Sequence, residues 1–385
     1  MGFSALSSAT LNDAASPAAI VDRGKLRRNC GRMTRKAAQN GVDLRPHLKT
    51  AKAIEVARIA SAGNSGGLTV STLAEAEYFT NHGFLDLTYA VGLAPDKVAP
   101  ISQLMRSGAE IKVITDNASA VKAIRDNCEQ NNIHLSVLIE VDCGEGRGGV
   151  PPSSPALLDV AKEIANTQWL SLAGVLTHAG HSYHGKNASE IYEIAEQERR
   201  AAVHAAVRLR EHGHTITNIS IGSTPSVTFA QSFEGVTEIR AGVYTFGDLQ
   251  QVSLGTCSVD DIALSILATV IGHNATSNRI IVDAGSLALS LAESQTGRPG
   301  YGKICSTSTG ALFRDLYVSD IYQEHGLIAA HSGVLPFDSL PVGSRIRILP
   351  NHACLAASHF DSYLVVDNSS TIVDLWDKTR GWSCS

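Results

Sequence analysis

The 385-residue chain has no apolar run long enough to cross a bilayer, and residues 1 to 13 have neither the basic segment nor the apolar core of a secretory signal. It also lacks any run of lysine and arginine. Its 32 basic and 37 acidic residues are dispersed, for a formal charge of -5, so no stretch would neutralise a phosphate backbone. Neither a membrane nor a nucleic acid is therefore expected as a partner, and the sequence reads as that of a cytoplasmic protein. The seven cysteines, Cys30, Cys128, Cys143, Cys257, Cys305, Cys354 and Cys384, are odd in number, scattered, and without a C-x-x-C pair. That pattern argues for reduced thiols over a disulfide framework. No G-x-G-x-x-G follows the first strand-like run, so the dinucleotide fingerprint of an open doubly wound sheet is missing. There is no repeat of short fixed period, and low complexity is confined to the Ser/Ala-rich first residues.

What is present is a soluble globular composition, 44% hydrophobic and 18% charged, long enough for one large domain and a smaller one. A short apolar strand, 18–22, and a helical segment, 23–40, enter the domain. Strand-like runs at 44–49, 67–71, 87–91, 111–115, 135–142, 172–179, 219–223 and 238–246 then alternate with helical segments at 50–60, 72–81, 95–106, 117–130, 155–166, 189–211 and 225–230. Eight such units in roughly 230 residues match a closed parallel barrel. After about Leu249 the pattern changes to short strands split by Gly, Asn and Ser. The expected fold class is thus α/β, a (β/α)8 TIM-type barrel over 16–248 with a second, C-terminal β-rich domain over 249–385, possibly joined by 1–15.

In such a barrel the chemistry stands at the C-terminal ends of the strands. Lys49 ends the first strand, Ser71 and Thr72 the second; Arg147 follows the fifth, His178 ends the sixth, Ser223 and Thr224 the seventh, and Tyr244 the eighth. Pro46 disfavours helix before it, which puts Lys49 at a strand-to-helix junction, where a desolvated amine can attack a carbonyl cofactor. Alone, the position is also that of an ordinary surface lysine. Gly222-Ser223-Thr224-Pro225 offers a glycine for close approach, two hydroxyls and a helix-starting proline, a phosphate cradle or simply a capped helix. Arg147 lies in a glycine-rich loop that can aim it at an anionic oxygen or leave it solvated beside Asp142 and Glu145. In Thr177-His178-Ala179-Gly180-His181-Ser182-Tyr183-His184 the histidine spacing fixes no common metal centre; His178 and Tyr183 are read as cofactor-ring contacts, His181 and His184 as loop histidines. His352 and Cys354, two apart at the end of a strand-like run, face one side and suit a cation such as zinc; buried His and Cys are the plain alternative. Gln323-Glu324-His325-Gly326 lies upstream and has no assigned role.

Together, Arg45-Pro46-His47-Leu48-Lys49-Thr50, Thr177 to Gly180, Gly222 to Thr224, Gln323 to Gly326 and Pro350-Asn351-His352-Ala353-Cys354 mark a resemblance. The chain resembles the pyridoxal-phosphate enzymes of alanine-racemase-like fold, in the branch holding D-serine dehydratase, D-threo-3-hydroxyaspartate dehydratase and D-threonine aldolase, in register from about Ser16 to Trp382. The resemblance implies a barrel, a β domain, a homodimer, and a D-amino acid substrate with a β-hydroxyl. It makes Lys49 the Schiff-base lysine and catalytic base, Gly222 to Thr224 the phosphate turn, and His352 with Cys354 the metal pair. The dehydratases of this branch are similar to the H-x-C here, whereas the aldolases have H-x-D. A thiolate favours zinc and a carboxylate manganese or magnesium, so Cys354 points to a pyridoxal 5'-phosphate and zinc-dependent dehydratase. Retro-aldol cleavage to glycine and an aldehyde, and a non-catalytic pyridoxal-phosphate protein, are the alternatives. Racemisation would need a second base, and none is identified.

Overall fold

The computed structural model describes residues 9–64, 66–292 and 300–382; residues 1–8 and Cys384 lie outside the described residues. Strand β1 (Ala18–Asp22), AAIVD, is buried over its last four residues and leads into a helix, Arg23–Gln39. Eight strands follow: β2 (Asp43–Leu44), β3 (Leu68–Val70), β4 (Asp86–Gly92), β5 (Glu110–Thr115), β6 (Leu135–Glu140), β7 (Leu170–Leu176), β8 (Asn218–Ile221) and β9 (Glu238–Ile239). They form one parallel sheet in the order β2-β9-β8-β7-β6-β5-β4-β3. Its two edges meet where His47 pairs in parallel with Thr69, flanked by Leu48 N to Thr69 O at 3.0 Å and Thr69 N to Pro46 O at 2.9 Å. The eight expected strands are all present, and the barrel reading holds.

Parallel strands covered by helices lose water from both faces, which explains their near-continuous Val, Ile and Leu. Ile114, Leu138 and Leu176 on the neighbouring β5, β6 and β7 form one buried cluster, with Ala90 and Ala173 against it. Thr72 and Asn117 cap the helices Leu73–Asn81 and Ala118–Asn131 by accepting from Glu75 N and Ala120 N. The helix expected from Thr50 begins instead at Ile54. Leu48 O accepts from Ala51 N and Lys52 N in a tight turn, and Lys52 at φ +52° leaves the right-handed region, so the helix starts afresh beyond it. The first strand is likewise shortened, because Pro46 has no N–H to give a ladder.

The second sheet has nine strands: β1 with β10 (Leu264–Asn274), β11 (Arg279–Val282), β12 (Gly302–Ser306), β13 (Leu312–Ile321), β14 (Gly326–Ala330), β15 (Arg345–Pro350), β16 (Ser362–Val366) and β17 (Ile372–Asp377). Sequence reading passed over β13, since only Leu316 and Val318 of its ten residues are buried and Arg314 and Asp315 face solvent. β1 lies between β10, antiparallel, and β16, parallel. Its Ile20 packs with Leu11, Leu267, Val366 and Ile372. Residues 16–31, grouped with the barrel from the sequence, fall instead in the unit built on this sheet, through β1 and the start of the helix after it. The chain divides into a sheet unit, residues up to Gly31 with Val243–Lys378, and a barrel unit, Arg32–Gly242 with the segment from Thr379. Among the described residues no helix is long and apolar enough to cross a membrane.

Candidate active site

In the barrel unit, Lys49 lies in the turn just after the His47–Thr69 closure and is exposed, not desolvated as the sequence suggested. Two histidines flank it electrostatically. Loss of solvent, then the charges of Lys49, Arg240 and His178, hold His47 well below its ordinary 6.5. Burial and then Lys49 pull His178 down to about 3, against the opposing effect of its bond to Gly222 O. That bond, Nδ1 to Gly222 O at 2.8 Å, requires Nδ1 to donate, so the neutral ring keeps its lone pair on Nε2.

The carbonyl belongs to the expected phosphate turn. Gly222 has φ +134°, and a Cβ there would lie 2.3 Å from Arg240 O, so a side chain cannot be built. Ser223 caps the helix Thr224–Phe229 in a reciprocal arrangement with Ser226, and its Oγ lies 2.7 Å from Ser182 Oγ. Thr224 is buried as the first helical residue. Glu198, which the sequence reading missed, fastens this turn to the loop after β7, for its Oε1 accepts from Gly222 N and Ala179 N, each at 2.9 Å. Burial raises its carboxyl, opposed by Ser226, the two amides and Arg240. The signal was available, since Glu198 keeps the spacing of the buried Ile191, Ala195, Ala202, Ala205 and Leu209 along the helix Ala188–Glu211.

Beneath the mouth, ionic groups replace apolar side chains. Arg45 pairs with Glu238 at 2.6 Å and with Asp86 at 2.8 Å, and Lys112 reaches the same Asp86 at 3.0 Å. Arg240 donates to Ser220 Oγ at 2.6 Å and Thr177 O at 2.5 Å, while Ser220 donates to Glu238. Burial lowers the Arg240 guanidinium, and Glu238, Glu198 and Glu140 counter it. Such a network fixes β2, β7, β8 and β9 against one another only because its members satisfy each other. Arg147 is exposed, 3.6 Å from Glu145 Oε1, the local partner considered from the sequence. Tyr183 is half-buried in a 3-10 turn, Gly180–His184. His184 is exposed, and both ring nitrogens of His181 are shielded with no hydrogen-bond partner among the described residues.

In the sheet unit, β15 ends at Pro350, so His352 and Cys354 do not share a strand face as their spacing suggested. His352 is the extended N-cap residue of a helix, Ala353–Ser358, and Cys354 lies in its first turn, because Ala353 N donates to the buried Asp248 Oδ2 at 2.8 Å and turns the chain there. His352 Nδ1 lies 3.0 Å from Gln250 Oε1 and 3.8 Å from Asp248 Oδ2. With Nδ1 toward Gln250 Oε1, Nε2 is the ring nitrogen left without that partner. Burial raises Asp248, opposed by His352 and the amides of Ala353, Gln251 and Gln250. Among the described residues no group of three or more His, Cys, Asp and Glu gathers for a metal. Asn351 Nδ2, also missed, donates to Ala292 O at 2.9 Å and Gly300 O at 2.7 Å. Gln323 to Gly326 lean on the turn at Gly285, with Leu287 N donating to Gln323 O. Tyr244 is not at a strand end: β9 stops at Ile239, and Tyr244 is buried in a 3-10 turn, Val243–Thr245, of the sheet unit.

Residues 21–250 match the family described as "Alanine racemase, N-terminal domain", and 263–366 match the "Putative serine dehydratase domain". A D-threo-3-hydroxyaspartate dehydratase of Delftia sp. (strain HT23) is 40% identical over 376 residues, 95% of this chain and 98% of that protein. A D-serine dehydratase of Dictyostelium discoideum is 32% identical, covering 97% of this chain and 98% of that one. Among solved structures, a cysteine-to-alanine variant of D-threo-3-hydroxyaspartate dehydratase in its metal-free form superposes with a TM-score of 0.94 at 38% identity, covering 97% of this chain and 100% of that one.

Proposed function

We propose that this chain, which belongs to the alanine racemase N-terminal domain family and continues into a serine dehydratase domain, is a pyridoxal-phosphate-dependent lyase that dehydrates a D-3-hydroxy amino acid. The substrate class is that of D-serine or D-threo-3-hydroxyaspartate, and the products are a 2-oxo acid and ammonia. The observation that carries this reading is Lys49 at a barrel mouth beside two histidines kept neutral and a glycine turn that admits no Cβ. These residues fit the cofactor.

Lys49 would hold the cofactor through its carbonyl and, once the substrate amine displaces it, take the α-proton on Nζ. Gly222, Ser223 and Thr224 would hold the phosphate. His178 and Tyr183 would contact the ring, and Tyr244 and Arg147 would reach the cofactor, Arg147 by leaving Glu145. Bound pyridoxal phosphate supplies the electron sink for the carbanion left at Cα. His352 and Cys354 would hold zinc. Zinc held there would supply a Lewis acid for the departing β-hydroxyl. Loss of the α-proton and the hydroxyl removes one water from the substrate. A second water then releases ammonia and the 2-oxo acid. The chain is proposed to act as a cytoplasmic homodimer, which light scattering on the purified protein would check.

The test supplies D-serine, D-threo-3-hydroxyaspartate and D-threonine, with and without chelator, and measures ammonia against glycine and aldehyde. Ammonia is expected from wild type, and Lys49→Ala should lose both turnover and the cofactor's visible absorbance band. Glycine with an aldehyde as main products would replace dehydration by retro-aldol cleavage, the reaction a carboxylate at position 354 would have suggested. A Lys49→Ala protein with full turnover would remove the reading altogether.

A further inference from the structure

We propose that a buried ion pair, Lys52 with Glu75, clasped by the returning C-terminal segment, is a positioning device for the turn that carries Lys49. The inference rests on the reading of Lys49 as the cofactor-holding residue. Lys49 has an exposed side chain, so its place is set by the backbone of the Leu48–Lys52 turn. That turn ends in a left-handed lysine, a conformation a side chain adopts only when its surroundings impose it.

The surroundings are specific. Lys52 Nζ lies 3.3 Å from Glu75 Oε1, and the Glu75 side chain is fully enclosed. The other carboxylate oxygen accepts from Ser71 N at 2.8 Å, just past the end of β3, and Ser71 Oγ lies 3.5 Å from His47 Nε2. One carboxylate thus ties the far end of the Lys49 turn to the strand end beside its near end. The C-terminal segment holds the cation from outside: Thr379 N donates to Lys52 O at 2.9 Å, and Lys52 Nζ donates to Arg380 O at 3.0 Å. Gly381, at φ +78°, passes so close that a Cβ would lie 2.7 Å from Lys52 Nζ and 3.2 Å from Glu75 Oε1. Trp382, 85% exposed, has its ring 5.6 Å from the same Nζ. A segment some 330 residues away in sequence thereby closes over the turn. A buried carboxylate left without its cation is costly, which keeps the turn in register with β3.

The test uses full-length proteins: wild type, Lys49→Ala, Lys52→Met, Lys52→Arg and Gly381→Val. Pyridoxal phosphate is titrated by its visible band, and acylation of Lys49 in each apoprotein is followed by peptide mapping against the exposed Lys122. Lys52→Met and Gly381→Val are expected to weaken cofactor binding about tenfold and to change the acylation rate of Lys49 but not of Lys122. Lys52→Arg, which keeps the cation, should restore most of both. Wild-type affinity and Lys49 acylation in Lys52→Met and Gly381→Val would overturn the proposal, as would equal changes at Lys49 and Lys122, which mean general loosening. A visible band retained by Lys49→Ala would instead defeat the reading of Lys49, while the acylation data would still report on the clasp.

Discussion

A histidine ring that is buried in the field of a lysine is disfavoured as a cation, even where it gives its Nδ1 proton to a carbonyl. For His178 the folded-state value falls from 6.5 to about 3, and the sign of the pH dependence follows. Between those values the unfolded chain binds the proton and the folded chain does not, so stability is full above about 6.5 and falls as pH drops toward 3. The slope can reach about 1.4 kcal/mol per pH unit for one such group. His47 is shifted in the same direction and adds to it. Urea unfolding of the apoprotein from pH 7 to pH 5 should therefore show stability decreasing with acid, and His178→Asn should flatten that decrease. An unchanged slope in the variant would show that His178 is not held neutral by the fold.

The elements that carry the site differ in how far the sequence announced them. The eight barrel strands were legible because each is a short apolar run bounded by turn residues, and Gly222 to Thr224 because a glycine, hydroxyls and a proline follow one of them. The long helix Ala188–Glu211 was legible only as a helix. Its eight other charged residues disguise one acid, Glu198, that faces inward among alanines and holds the Gly222 turn through two backbone amides. His352 and Cys354 stood out by residue type, but the strand face expected to join them is absent, because a period-two argument fails once Ala353 N is drawn to Asp248 and a helix begins. An amide left unpaired in a buried site costs roughly 1–3 kcal/mol, so replacing Glu198 should loosen Gly222 and its neighbours. Glu198→Leu, which leaves both amides without their acceptor, is expected to weaken pyridoxal phosphate binding about tenfold in a fluorescence titration. Glu196→Gln, on the same helix, breaks only pairs to Arg199 and to Arg200, which is 74% exposed, and should leave cofactor affinity unchanged.

At the scale of the whole chain, the residues proposed for the chemistry fall in both compact units. Lys49, His178, Tyr183 and Gly222 to Thr224 belong to the barrel unit, whereas His352 and Cys354 belong to the sheet unit, as does Tyr244. The polypeptide itself interleaves them: β1 enters the sheet before the barrel begins, and the segment from Thr379 rejoins the barrel unit after the sheet ends. Sequence reading missed this because a contiguous boundary is the simplest division of a chain, while the pairing partners of Ala18 to Asp22 lie some 240 or more residues downstream. If each unit holds its own group, the two can be removed separately. Chelator should abolish ammonia formation while leaving the visible band of the cofactor, and added zinc should restore turnover. Zinc at a hundred times its dissociation constant should also stabilise the apoprotein by about 2.7 kcal/mol. Cys354→Ala should lose the zinc stabilisation and keep the visible band of the cofactor, whereas Lys49→Ala should lose the band and keep the zinc stabilisation. Loss of the visible band on chelation alone would show that the metal pair supports the cofactor and not only the leaving hydroxyl.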